Sequence, residues 1–187
     1  MQKNLRIEHL KTNIPELFTH PGKLLYIGAS HTRSQCVPEL RAASNEITLI
    51  EAFPPNAAFH QKNPIFTSVI CFDICLALNK GLPSKFYDYI FWWHGPEHVT
   101  KTSFLALEKY FRKHTAMIIF ACPFGRYPQG ATYNNPFERH LTTFYPHDFV
   151  SLQYTFSTIG LKDIPGSHIL AWKKTNLYNK RRDPCPA

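Results

Sequence analysis

Residues 85–98 read KFYDYIFWWHGPEH, and this stretch decides how the rest of the chain is arranged. Its apolar segment runs unbroken from Tyr89 to Trp93 and stops in His94-Gly95-Pro96-Glu97-His98. A continuous apolar run of this length, ended by Gly-Pro, predicts a strand buried on both faces, as in a parallel sheet covered by helices. Ligands of such open sheets sit outside the carboxyl ends of the strands. The titratable groups His94, Glu97 and His98 are therefore expected at a reactive rim.

Toward the N-terminus, KLLYIGAS (23–30) is a second buried strand, ending in Gly28, Ala29 and Ser30. Small residues there let the backbone turn tightly and let a ligand approach. A helix is expected over 34–43 with Pro38 in its first turn. A strand follows over EITLIEAF, with Glu51 near its end, then a helical turn at 56–61 and a strand over IFTSVICFDIC with Asp73 near its end. Residues 1–22 carry a weak amphipathic pattern (Leu5, Ile7, Leu10, Ile14, Leu17, Phe18), read as a short helical segment covering an edge of the core. Toward the C-terminus, residues 102–113 have helical spacing and a Glu108/Arg112 pair one turn apart. AMIIFACPFG reads as another buried strand. Residues 126–145 form a long aromatic connection, and loops of about twenty residues in compact domains are usually functional or mobile. A helix beginning at Pro146 and a hairpin of TFSTIGLKDI with SHILAWKK complete the pattern. Strands alternating with helices, then a hairpin, predict an α/β fold: a mostly parallel Rossmann-like sheet, helices on both faces, and an antiparallel C-terminal hairpin.

At 187 residues the chain suffices for one domain. The division expected is a helical segment over 1–22, one domain over 23–174 and a basic tail over 175–187. Apolar residues make up 44%, without a run that spans a bilayer, and the N-terminus has no secretory pattern. Five scattered cysteines with no CxxC pair argue for reduced thiols in a cytoplasmic compartment. The net charge of +8 includes Lys173, Lys174, Lys180, Arg181 and Arg182 near the C-terminus. Such a cluster is more often a solvated end than a binding arm, so nucleic acid is the less favoured partner and a small molecule the more favoured.

The order of these features resembles the class I S-adenosylmethionine-dependent methyltransferases over roughly residues 20–174. LLYIGAS, Glu51, Asp73, YDYIFWWHGPEHV and the terminal hairpin carry the resemblance. HGPEHV followed by PFGRYPQG and NPFERH looks like a small branch of that superfamily. The resemblance implies a seven-stranded sheet with the last strand antiparallel, and S-adenosyl-L-methionine lying across the ends of strands one to four. It places Tyr26 where the family usually has an acidic residue, Gly28 at the first glycine, and Ser30 and Thr32 where later glycines fall. Ala29 and Ser30 complete the cofactor loop. Glu51, followed by Ala52 and Phe53, accepts from the ribose hydroxyls; its alternative is a solvated strand end. Asp73 accepts from the adenine amino group or caps a helix. Phe53 and Ile74 flank the base or, as apolar residues beside strand ends more often do, belong to the core, and Trp93 walls the pocket.

His94 is the expected general base, because imidazole is the side chain suited to proton transfer near neutral pH. Glu97 and His98 orient it or contact substrate. His140, with Arg126, Tyr127, Asn134, Asn135 and Glu138 of the long loop, is expected to close over the site. The letters HxxEH occur in zinc peptidases, but that chemistry needs both His on one helix face, and Gly95-Pro96 after a strand makes a turn. Pro96 and Glu97 suit the first turn of the next helix. The sequence requires no metal. The activity expected is methyl transfer to an oxygen or nitrogen nucleophile of a small molecule; the alternative is a methyltransferase-like binding protein without catalysis.

Overall fold

The computed structural model describes residues 2–30, 36–43 and 46–182. Seven strands form one sheet: β1 (Lys23–Ile27), β2 (Glu46–Glu51), β3 (Ser68–Cys71), β4 (Tyr87–Trp93), β5 (Thr115–Pro123), β6 (Thr155–Ile159) and β7 (His168–Lys174). Their spatial order is β3-β2-β1-β4-β5-β7-β6. β1 pairs in parallel with β2 and β4, β4 with β5, and β2 with β3. β7 runs antiparallel to both β5 and β6, closing the predicted hairpin. The chain reverses its strand order on the two sides of β1, so the ends of β1 and β4 frame the crevice where such sheets bind ligands.

Alternation along each strand sends side chains to opposite faces, and two cores result. One holds Leu24, Tyr26, Leu49, Tyr89, Phe91, Trp93 and Ile119 under α1 (Gln2–Asn13), α2 (Glu16–Thr19) and α3 (Val37–Ala42). α4 (Pro54–His60) and α5 (Ala77–Lys80) follow β2 and β3. The second core packs Leu25, Ile50, Ile90, Trp92, Ile118 and Phe120 under Phe104, Leu107 and Phe111 of α6 (Lys101–Phe111) and Phe149 of α7 (Pro146–Ser151). The Glu108–Arg112 pair forms at 2.6 Å on α6. No helix among the described residues is long and apolar enough to cross a membrane.

Several local expectations shift. β3 spans four residues rather than eleven, because it is a partly exposed edge strand and Asp73 ends it: its Oδ1 accepts from Cys75 N at 2.9 Å and caps a 3-10 turn over Ile74–Leu76. Pro96 and Glu97 do not open α6. They lie in a separate 3-10 turn, Pro96–His98, after which Val99 is extended and Thr100 caps the helix by accepting from Ser103 N. α3 begins at Val37 with Pro38 in its first turn; Ser34 and Thr32 lie outside the described residues.

The N-terminal segment forms two helices whose apolar side chains join the first core. Ile7, Leu10, Ile14 and Leu17 are buried, and Tyr89 hydroxyl contacts the carbonyls of Glu16 (3.1 Å) and His20 (2.8 Å). The C-terminal segment carries α8 (Leu177–Arg182), whose Tyr178 packs into the first core. Thr175 hydroxyl donates to Thr115 O at 2.6 Å. Two of the basic residues assigned to a solvated end contact other parts of the fold at its surface: Lys174 pairs with Glu16 at 2.6 Å and Lys173 donates to Leu152 O at 2.7 Å.

Candidate functional site

At the carboxyl ends of β1, β2 and β4 lies a cleft of about 500 Å3, within the size range of small-molecule and cofactor sites. Gly28 turns the chain out of β1 with φ +75°, a left-handed conformation that favours glycine, and no neighbour approaches where a Cβ would stand. Its N–H donates to Ile50 O at 2.8 Å, which ties the loop to β2. Glu51, 5% exposed, ends β2 inside the rim. Its Oε2 accepts from Ala29 N at 2.7 Å and its Oε1 from Phe53 N at 2.8 Å, so this carboxylate organises both loops beside it. Burial raises its pKa, and the two backbone hydrogen bonds only partly oppose that.

His94 follows β4 with φ +48°, an uncommon conformation for a residue with a side chain, held by its N–H donating to Ala121 O at 2.8 Å. Such backbone strain concentrates at functional sites. Gly95 is required next because the Trp92 indole lies across it: a Cβ would stand 1.9 Å from that ring. The following 3-10 turn carries Glu97 inward, to 2% exposure, with Oε1 3.4 Å from His94 Nδ1. Neither oxygen of Glu97 meets a hydrogen-bond partner among the described residues. Burial pushes its pKa up, but the hydrogen-bonding proximity and charge of His94, with the charge of His98, outweigh it and hold the carboxyl below its usual range.

The long loop closes on this turn through its backbone. Leu141 and Thr142 N–H groups both donate to Glu97 O, at 2.8 and 3.1 Å. His140 thereby reaches His98, ring centroids 4.9 Å apart. Burial lowers the pKa of His140, with the Glu97 charge opposing.

Of the residues singled out by sequence, Tyr26, Gly28, Ala29, Ser30, Glu51, Ala52, Asp73, Ile74, Trp93, His94, Glu97, His98 and His140 all line this cleft. Tyr127, Asn135 and Glu138 of the loop join them. Phe53 does not: its N–H serves Glu51, and the residue lines a smaller neighbouring depression with Pro55 and Phe59. Arg126 and Asn134 are also outside the lining. Tyr26 contributes only an edge, since the strand's alternation turns its ring inward against Phe91 at 5.3 Å and Phe66 at 6.5 Å. Trp93 likewise stacks on Phe91.

Two cleft neighbours carried no signal in the sequence. Arg6 reaches the rim from α1, its Nη2 3.3 Å from Gly166 O. His168, the first residue of β7, is fully buried beside Trp93 and His94. Burial first, and then the charges of His94, Arg6 and His9, push its pKa down to about 3.

No family profile matches the sequence, and no curated protein does. Solved structures match well. A SAM dependent methyltransferase from Archaeoglobus fulgidus has a TM-score of 0.61 at 15% identity, over 91% of this chain and 94% of that one. The DhpI-SAM-HEP complex gives 0.63 at 13% identity over 92% and 86%. The plantazolicin methyltransferase BpumL in complex with SAH gives 0.60 at 12% identity over 94% and 83%. With the strand order above, these matches show the class I methyltransferase fold.

Proposed function

We propose that this chain is an S-adenosylmethionine-dependent methyltransferase acting on an oxygen or nitrogen nucleophile of a small-molecule acceptor. One observation carries the reading: Gly28, Glu51, Asp73 and His94, contributed by four separate connections, meet around a single cleft of adenosyl size. Neighbours of the same fold are complexes with SAM and SAH.

When bound, S-adenosylmethionine supplies a methyl group on a positively charged sulfur; the protein has to align a nucleophile and accept a proton. Glu51 keeps lone pairs beyond its two backbone partners and offers them to the ribose hydroxyls. Ile74 and Ala52 stand beside the base position, and Asp73 retains one oxygen beyond its cap for the adenine amino group. Tyr26 leaves no carboxylate for the amino-acid end of the ligand, while Arg6 brings a cation there for its carboxylate.

His94 takes the proton. Its Nδ1 faces Glu97, which orients the ring and steadies the imidazolium, and its Nε2 has no hydrogen-bond partner among the described residues. With S-adenosylmethionine held by the Gly28, Glu51 and Asp73 connections, transfer of its methyl group would free the proton of the acceptor's O–H or N–H, and His94 would be the group placed to take it.

Titration calorimetry with S-adenosylmethionine and S-adenosylhomocysteine tests the reading: saturable binding of both supports it. Silence with both overturns it and leaves a binding protein of the same fold, the reading that the inward-facing Tyr26 favours. His94→Ala is expected to lower turnover by roughly 10²- to 10⁴-fold, the usual scale for a general base, with little change in cofactor affinity.

A further inference from the structure

Glu97, His98 and His140 place one ligand atom each within 4.8 Å of one another. Bonds of about 2.0–2.2 Å to nitrogen and oxygen bring such atoms to roughly 3–4 Å apart, so modest side-chain rotation closes the set. Three further observations set this cluster apart from a chance gathering of polar groups. The Glu97 carboxylate is 2% exposed and neither oxygen has a hydrogen bond among the described residues. Its nearest charged neighbour is the His94 imidazole, 3.4 Å from Oε1, which leaves the second oxygen without a partner there, a costly state for a buried carboxylate.

Both imidazoles are also prepared as ligands. His140 Nδ1 lies 2.5 Å from Tyr127 O, and His98 Nδ1 lies 3.3 Å from Arg139 O. A carbonyl only accepts, so each Nδ1 carries the proton and each Nε2 keeps its lone pair. This outer hydrogen bond to a backbone carbonyl is how metal-binding histidines are fixed in tautomer and orientation. Finally, the two halves of the cluster are joined by main chain: Leu141 and Thr142 N–H groups donate to Glu97 O, which fixes His140 against the 3-10 turn.

We propose that Glu97, His98 and His140 form a site for a divalent transition-metal ion, of the Mn2+, Co2+ or Zn2+ kind, with coordination positions left open toward the cleft. Two imidazoles and one carboxylate suit these ions and leave room for an oxygen ligand from a substrate. Resting on the transferase reading, the ion binds the acceptor and favours oxygen over nitrogen. A coordinated hydroxyl loses its proton more readily and keeps lone pairs for attack, whereas a coordinated amine has committed the lone pair it needs.

Untagged, chelator-treated protein is titrated with Co2+ and followed by its visible absorption and by calorimetry. One equivalent is expected to saturate at micromolar concentration with a band typical of four or five ligands, and acetohydroxamate, a bidentate oxygen ligand, is expected to shift that band. His140→Ala and Glu97→Gln should weaken binding by more than about 100-fold, beyond the loss of an outer hydrogen bond. His147→Ala, an exposed control, should leave it unchanged. Should Glu97→Gln fail to fold, the partly exposed His140 carries the test. No saturable binding of Co2+, Mn2+ or Zn2+, or binding that survives His140→Ala, overturns the proposal. S-adenosylhomocysteine binding is measured separately without metal, so failure of the metal site and failure of the transferase reading give different results.

Discussion

Two buried glutamates at the same rim behave in opposite ways. Glu51 and Glu97 are 5% and 2% exposed, yet Glu51 has both oxygens taken by backbone N–H groups and Glu97 has neither taken by a hydrogen bond among the described residues. Burial raises the pKa of Glu51, whereas His94 and His98 hold that of Glu97 down against burial. The first carboxylate is part of the architecture of the loops around it. The second is a buried carboxylate held by its neighbours' charges rather than by backbone hydrogen bonds. The cleft therefore has a built end at β1 and β2 and a poised end at β4 and the long loop.

The largest effects should break this contrast from the poised end. Glu97→Gln is expected to reduce methyl transfer by about 10²-fold or more, on the scale of lost acid-base support, while S-adenosylhomocysteine affinity stays within a few-fold of the parent. A matching loss of cofactor affinity, read by calorimetry, would erase the distinction between the two ends. Glu51→Gln should do the reverse. It weakens cofactor binding and, by disturbing the acceptors of two buried N–H groups, lowers stability by about 1–3 kcal/mol; thermal melts should show the larger drop for this variant.

Next in size is acid stability. Unfolded His168 takes up a proton near the ordinary histidine pKa, but folded His168 does so only at about 3. Between those values the unfolded state binds the extra proton, so stability falls as pH falls, by about 1.4 kcal/mol per pH unit for one group. Chemical denaturation across that window should show a shallower slope in His168→Phe; an unchanged slope would show that His168 titrates normally. A smaller effect belongs to Glu51 and cofactor affinity. Ribose hydroxyls donate to the ionised carboxylate, and its raised pKa means that acidification protonates it sooner than an ordinary glutamate. Affinity should therefore begin to fall above the usual carboxylate range, and binding isotherms at stepped pH should lose that early decline in Glu51→Gln.

The contrast also shows how far the sequence could be read. The built end was legible because its signals are local: an apolar run that stops at Gly28, and a strand that ends in a carboxylate at Glu51. The same holds for the run that ends at His94. Asp73 was open between ligand and cap, and the structure makes it a cap without removing it from the cleft. Phe53 lies outside the cleft lining, and the contact it makes with the site is its N–H to Glu51, to which residue type is blind. Arg6 and His168 gave no pattern, since neither position stands at the end of a recognisable β-α connection.

By itself the sequence determined the order of strands and helices and the places where strands stop, because burial on both faces demands continuous apolar runs and the breakers that end them are adjacent in the chain. Only the tertiary structure decided that Tyr26 turns inward, that β7 enters between β5 and β6, and that His140 meets Glu97 and His98. The last of these depends on backbone hydrogen bonds between segments some forty residues apart, such as Leu141 N–H to Glu97 O. Every residue carries the same amide and carbonyl, so no local pattern of side chains records which of them will pair.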